Sequence, residues 1–233
     1  MMKTIAEIKL LDHGYLRFIE SWGSDERIIE AARMSTDKGF QGWDKDMRLL
    51  SYLYDNKHST PFEMAGIVVE VKAPIFVFRE WHRHRTQSYN EMSARYIPLP
   101  DEHYLPTVER IMEGANTATT NKQAQGVTGT QMTIEQAVGA QNAMLHAYYA
   151  TQQAYACLLA LGVPKELARL PVVGARYSKM RASANLRNWL AFMTLRSDPS
   201  AQWEIRQYSD AMGQIVKELF PRTWSKFEEG QTK

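Results

Sequence analysis

Hydrophobic and polar positions alternate early in the chain and recur at helical spacing later. In "TIAEIKLLDHGYLRFIESWG" two short alternating segments flank Asp12-His13-Gly14, which predicts a β-hairpin. "SDERIIEAARMST" predicts a helix: Ser24 can cap it, and Asp25 and Glu26 suit its positive end. A second helix is expected over 43 to 57, with Met47, Leu50, Leu53 and Tyr54 on one face. Val68, Val69 and Val71 favour a strand, and Pro74 ends it or opens the next helix. "PIFVFREWHRHR" then reads most simply as a helix, although "IFVF" is also a strong strand former. On a helix, Arg79 and Arg83 share a face, and so do Glu80 and His84. The segment "TQSYNEMSARYIPLP" reads as turn and loop, because Ser, Asn and Pro compete with helix.

Residues 113 to 132 are small, polar and rich in Gly and Thr, and predict a mobile surface loop. A long helix follows. Thr133 and Gln136 have capping-box spacing, and Ala137, Ala140, Met144, Tyr148, Tyr155 and Leu158 keep helical phase. Gly162 suits its C-terminal end, and Pro164 the first turn of another helix. Residues 185 to 196 read as a helix with Leu186, Trp189, Leu190 and Met193 inward. A last helix is expected from near Asp198 and Pro199, burying Ala201, Ile205, Tyr208, Met212, Ile215 and Leu219. The sum is an α+β fold in a single domain over 1–233, with strands early and helices later.

Composition narrows the function classes. The 233 residues can bury a substantial core, and 44% hydrophobic with 11% aromatic residues is a globular balance. A net charge of +2 is too small for a protein that lives on nucleic acid, so an Arg-rich stretch here points to a local anion site. One cysteine excludes an internal disulfide and multi-cysteine metal sites. The context of Cys157, "YACLLALG", predicts a buried side chain rather than a catalytic thiol. No apolar run is long enough to span a membrane, and "MMKTIAEIKLLDHG" lacks a signal-peptide core. These features predict a soluble, cytoplasmic protein.

The chemistry concentrates in "WHRHRTQSYNEMSARY" at 81 to 96. Guanidinium forks pair with phosphate through two hydrogen bonds. Arg79, Arg83, Arg85 and Arg95 exceed Glu80 and Glu91 by two positive charges, and Ser and Asn nearby add neutral donors and acceptors. A solvated, salt-bridged helix end accounts for the charges alone; the neutral groups favour a ligand. His82 and His84 resemble a metal-binding pair, but on a helix they point about 200° apart, and the arginines repel a cation, so no metal is expected. His58, near Thr60 and Glu63, reads by itself as a capping or packing residue. Asn185 and Arg196 stand 11 residues apart, a stripe of roughly 16 Å, and Arg196 suits a helix C-terminus. Neither glycine-rich nucleotide fingerprint occurs, which excludes a Rossmann crevice and a P-loop.

"RHRTQSYNEMS" is R-H-R, seven residues, then Ser, and resembles the signature of flavin-dependent thymidylate synthases. "AARMS", "HSTPFE", "VKAPIFVFREW", "GVPKELAR", "NLR" and "LRSDPSAQWEI" resemble further family blocks in family order. The resemblance implies a curved, mainly antiparallel sheet with flanking helices, assembled as a homotetramer with active sites between subunits. It also implies reductive methylation of dUMP to dTMP. Methylenetetrahydrofolate is the carbon donor, FAD the hydride carrier and NADPH the reductant. It places Ser35, Thr60, Glu63, Arg83, His84, Arg85, Glu91, Asn185, Leu186 and Arg187 at the flavin. It places Glu80, Arg83, Glu91, Met92, Ser93, Ala94, Arg95 and Arg169 at dUMP, with Arg95 and Arg169 on the phosphate. Arg196 would sit by the uracil as the catalytic cation, and His58 would line the flavin and folate side. Ser93 then binds substrate, because no partner base is evident to make it a nucleophile.

Two positions depart from the family pattern. Glu80 stands where Gln is expected and would repel a phosphate unless protonated or paired, with Arg79 or His84 as candidate partners. Ala191 stands where a flavin-binding Asn is common. Both leave room for another pyrimidine nucleotide or for hydroxymethylation. A nucleic-acid-binding module is the alternative from another class, and a metal hydrolase using His82 and His84 is the weakest.

Overall fold

A computed structural model describes residues 7–116 and 131–231. Five strands form one sheet: β1 (Ile8–Leu10), β2 (Gly14–Trp22), β3 (Gly66–Pro74), β4 (Ser88–Glu91) and β5 (Tyr177–Asn185). Their order is β1-β2-β3-β5-β4. The hairpin predicted around Asp12-His13-Gly14 is present, with Ile8 opposite Leu16 and Leu10 opposite Gly14. β2 continues antiparallel to β3, pairing Leu16 with Val71 and Phe18 with Val69. Gly14 is required by a close approach: a Cβ there would meet the Tyr208 hydroxyl, which donates to the Lys72 carbonyl over 2.8 Å.

The helices are α1 (Asp25–Arg33), α2 (Trp43–Asp55), α3 (Ile75–Trp81), α4 (Val108–Asn116), α5 (Ile134–Ala160), α6 (Lys165–Ala168), α7 (Leu186–Arg196), α8 (Trp203–Leu219) and α9 (Pro221–Gln231). Their ends follow local chemistry. The Ser24 hydroxyl accepts from the Arg27 N–H at the start of α1. Thr133 and Gln136 form the predicted capping box of α5, and Gly162 adopts φ +78 beyond its end.

The described chain divides into two compact units. The first holds residues 7–72, 79–91 and 179–231; the second holds 73–78, 92–116 and 131–178. In the first, Trp81 is fully buried and packs against Phe192, Trp189 and Tyr208, at ring-centroid distances of 4.6, 6.2 and 6.2 Å. Its indole N–H donates to the buried Gln87 Oε1 over 3.0 Å. Leu16, Ile28, Ile29, Leu50 and Ile67 complete much of that core. In the second unit the buried Arg176 ties three segments together. It donates to Gln152 over 2.7 Å, to the Leu99 carbonyl over 3.2 Å and to Asp101 over 3.3 Å.

Several expectations are corrected. The 86–100 region holds β4, whose residues Ser88 to Glu91 pair with Ser183 to Met180 of β5. Sheet pairing outweighs the turn-forming preference of these residues. β5 lies late in the chain, so strands are not confined to the first half. α3 stops at Trp81, so Arg83 and His84 lie on a turn rather than on the helix of Arg79 and Glu80. α8 begins at Trp203 rather than near 198, because Asp198 accepts from the Ser200 N–H and hydroxyl in a local turn. α9 follows it and was not anticipated. Residues 113–116 belong to α4, 131 and 132 lie outside any helix or strand, and 117–130 of the expected loop lie outside the described residues. On α5 only Ala137 and Tyr155 are buried, and Cys157, predicted to be buried, is exposed. Two residues beyond Tyr155, it falls about 200° around the helix from the packed face.

Candidate active site

α2 ends in a turn that fixes His58. Lys57 takes φ +58, its N–H donates to the Tyr54 carbonyl, and the His58 N–H donates to the Leu53 carbonyl over 2.8 Å. This pair of bonds closes a helix when the residue after the cap is left-handed. His58 is thereby set edge-on to Tyr52, with ring centroids 5.4 Å apart. A 3₁₀ turn, Thr60–Met64, follows with Pro61 near its start.

Two clefts of about 400 Å³ share Leu53, His58 and Ser59. The first is also lined by Tyr54, Asp55, Lys57, Phe62, Arg187 and Leu190. The second takes in Ala31, Ala32, Thr60, Pro61 and Met64. The apolar walls of the first cleft, with Lys57 and Arg187 among them, suit a planar ring system that carries phosphate. Arg187 stands on the first turn of α7 and pairs with Glu63. Asn185 Oδ1 accepts from the Asn188 N–H over 3.0 Å, so this side chain caps α7. Leu186 is fully buried beside it.

The other end of α7 carries Arg196. Its Nε donates to His84 Nε2 over 2.9 Å, its Nη1 to Glu80 Oε2 over 2.8 Å and its Nη2 to the Glu80 carbonyl over 2.8 Å. Glu80 is thus paired with Arg196, and not with Arg79 or His84 as considered from sequence. His84 packs edge-on to Phe192 at 4.9 Å, and its pKa is lowered to about 4 by burial and then by the Arg196 charge, with Glu80 opposing. His82 instead packs on Tyr89 at 4.9 Å, so the two imidazoles have different neighbours. Among the described residues, no group of three His, Cys, Asp or Glu side chains is placed to hold a metal ion.

The remaining candidates line neither cleft. Arg83, Arg85 and Glu91 are exposed, and Ser35 is exposed in a 3₁₀ turn, Met34–Thr36. That turn follows Arg33, which pairs with the fully buried Asp46; the other Asp46 oxygen accepts from the Gln41 N–H over 2.6 Å. In the second unit, the Ser93 hydroxyl accepts from the Arg95 N–H over 3.3 Å, Met92 is half-buried and Ala94 is buried. Arg169 donates to the Glu166 carbonyl over 3.3 Å. The first cleft also takes in Leu53, Tyr54, Lys57 and Phe62, whose sequence signal is nearness to His58, and Leu190, whose signal is its place one turn beyond Arg187 on α7.

An α+β fold with paired clefts and a cation at each end of α7 is an arrangement that suits anionic ligands with ring systems. Comparison with known proteins specifies the family. The family described as "Thymidylate synthase complementing protein" matches residues 17–222. A flavin-dependent thymidylate synthase of Thermus thermophilus is 40% identical over 222 residues, covering 95% of this chain and 78% of the relative. That of Thermosipho melanesiensis is 38% identical over 221 residues, covering 95% and 93%. Among solved structures, the UMP/dUMP methylase PolB from Streptomyces cacaoi, bound with 5-Br dUMP, superposes with a TM-score of 0.82 at 28% identity, covering 95% of this chain and 97% of that one. The chain belongs to the flavin-dependent thymidylate synthase family and is an enzyme.

Proposed function

We propose that this enzyme methylates dUMP to dTMP, taking one carbon from methylenetetrahydrofolate and reducing equivalents from NADPH. The observation that carries the reading is the placement of Arg196 at the end of α7, half-buried against the neutral His84. A guanidinium there stabilises negative charge that develops on a pyrimidine ring as its N3 proton is lost or the ring becomes enolate-like. The clefts beside His58 fit FAD: Leu53, Phe62 and Leu190 offer apolar walls, and Lys57 and Arg187 offer charge. FAD supplies hydride transfer when bound. Ser35, Thr60, Glu63, Asn185, Leu186 and Arg187 hold it, with Arg83, His84, Arg85 and Glu91. Met92, Ser93, Ala94, Arg95 and Arg169 serve the nucleotide, with Arg95 and Arg169 on its phosphate, and Glu80 acts on it through its pairing with Arg196.

The family match runs from 17 to 222, through both compact units, which supports one domain over 1–233. A homotetramer with active sites between subunits is supported by exposed Leu145 and Tyr149 on α5, which invite a subunit contact. No helix among the described residues is long and apolar enough to cross a membrane, in line with work in the cytoplasm. A second reading is action on another pyrimidine nucleotide. It is favoured by the Glu80 carboxylate at Arg196 and by the resemblance to a UMP/dUMP methylase. The test is a visible absorption spectrum of purified protein supplied with FAD, then addition of NADPH with and without dUMP. A bound flavin that NADPH bleaches is expected; protein that takes up no FAD overturns the reading.

A further inference from the structure

The three acceptors that hold Arg196 are not equivalent. His84 Nε2 and the Glu80 carbonyl are neutral and grip the guanidinium at Nε and Nη2. Two such bonds, one to the last turn of α3 and one to the turn just beyond it, are enough to fix the plane of the fork. The third acceptor, Glu80 Oε2 at Nη1, is charged and lies on the outer side: the Glu80 side chain is 44% exposed, that of Arg196 only 15%. Glu80 can swing into water while Arg196 stays in place. Its carboxylate therefore contributes neutralisation more than position. An anionic or strongly accepting group arriving from solvent would meet Arg196 at the corner that Glu80 already holds.

We propose that the Glu80 carboxylate is a built-in competitor of the substrate: it occupies Nη1 of Arg196 and is displaced when a pyrimidine nucleotide binds. This rests on the reading of Arg196 as the residue beside the pyrimidine ring. Glu80 then sets nucleotide affinity without contributing to the bound complex, and favours ligands whose ring is a strong enough acceptor to take its place. Glu80→Gln keeps the shape and a neutral acceptor but removes the competing charge. Glu80→Ala removes the side chain and leaves the backbone carbonyl that holds Nη2.

Titration calorimetry of dUMP into the flavin-loaded protein tests this. Glu80→Gln and Glu80→Ala should both bind dUMP more tightly than the parent, by about two- to fivefold, the range expected for releasing one part-exposed ion pair. Their melting temperatures should stay close to that of the parent. Equal or weaker binding by both variants, with folding intact, overturns the competitor role. Arg196→Ala separates this from the site reading. If it binds dUMP as tightly as the parent, or if the parent binds none, the assignment of Arg196 fails whatever Glu80 does.

Discussion

Arg196 Nε donates its hydrogen to His84 Nε2 across 2.9 Å. Arginine has no acceptor, so His84 Nε2 must be bare and the imidazole carries its proton on Nδ1. A protonated His84 would face the guanidinium with a second positive charge. Burial and that neighbour together pull its pKa from 6.5 to about 4.

His84 should therefore stay neutral well below pH 6. Nitrogen NMR of the ring should show the Nδ1–H form down to about pH 5, and Arg196→Met should move the titration upward. The sign for stability follows. The unfolded chain takes up this proton near the ordinary histidine value, the folded chain only near 4. The contribution of neutral His84 is thus fully present above about pH 6.5 and is lost as pH falls toward 4. The melting temperature of the parent should drop more over that window than that of His84→Asn.

Arg196→Ala should lower kcat/KM for the nucleotide about a hundredfold or more, the usual cost of removing one preorganised electrostatic contact. The side chain lies at a helix end and is held by three hydrogen bonds, so melting should move by only a few degrees. Matched losses of activity and melting temperature would mark Arg196 as structural instead.

Gln87→Leu tests how the 82–87 turn is held. Gln87 is buried and its Oε1 accepts from the Trp81 indole N–H. Leucine leaves that donor unsatisfied inside the aromatic cluster, at about 1–3 kcal/mol. Urea unfolding should show a loss of that size; no change would mean that the indole N–H finds another partner.

The sequence makes some of this legible and hides the rest for physical reasons. α1 and α5 are readable because Ser24, Thr133 and Gln136 cap them as their spacing predicts. β5 is not, because its inward positions include Ser178, Ala182 and Ala184, too small to make a strong alternating pattern. Arg196, Glu80 and Arg187 are visible as candidates, but their partners are not. The Arg196 bonds span 112 and 116 residues, and the Arg187–Glu63 pair spans 124, distances that only the fold closes.

Asp46→Asn should loosen the segment that carries Ser35. Burial alone would raise the Asp46 pKa, but the Gln41 N–H and the Arg33 hydrogen bond and charge more than offset it, so the carboxyl is held below its ordinary range. Its contribution is present above the ordinary carboxylate range and is lost as pH falls through the lowered value. Breaking this buried pair should cost about 3 kcal/mol in unfolding experiments near neutral pH. Weaker FAD uptake should accompany it; unchanged uptake would separate Ser35 from the flavin.

The central claim is the chemistry done on the nucleotide. The most direct measurement is mass analysis of the nucleotide after the flavin-loaded protein is incubated with dUMP, methylenetetrahydrofolate and NADPH. The account predicts dTMP, formed only when all three are present. NADPH oxidation with dUMP unchanged, or a hydroxymethyl product, would contradict it.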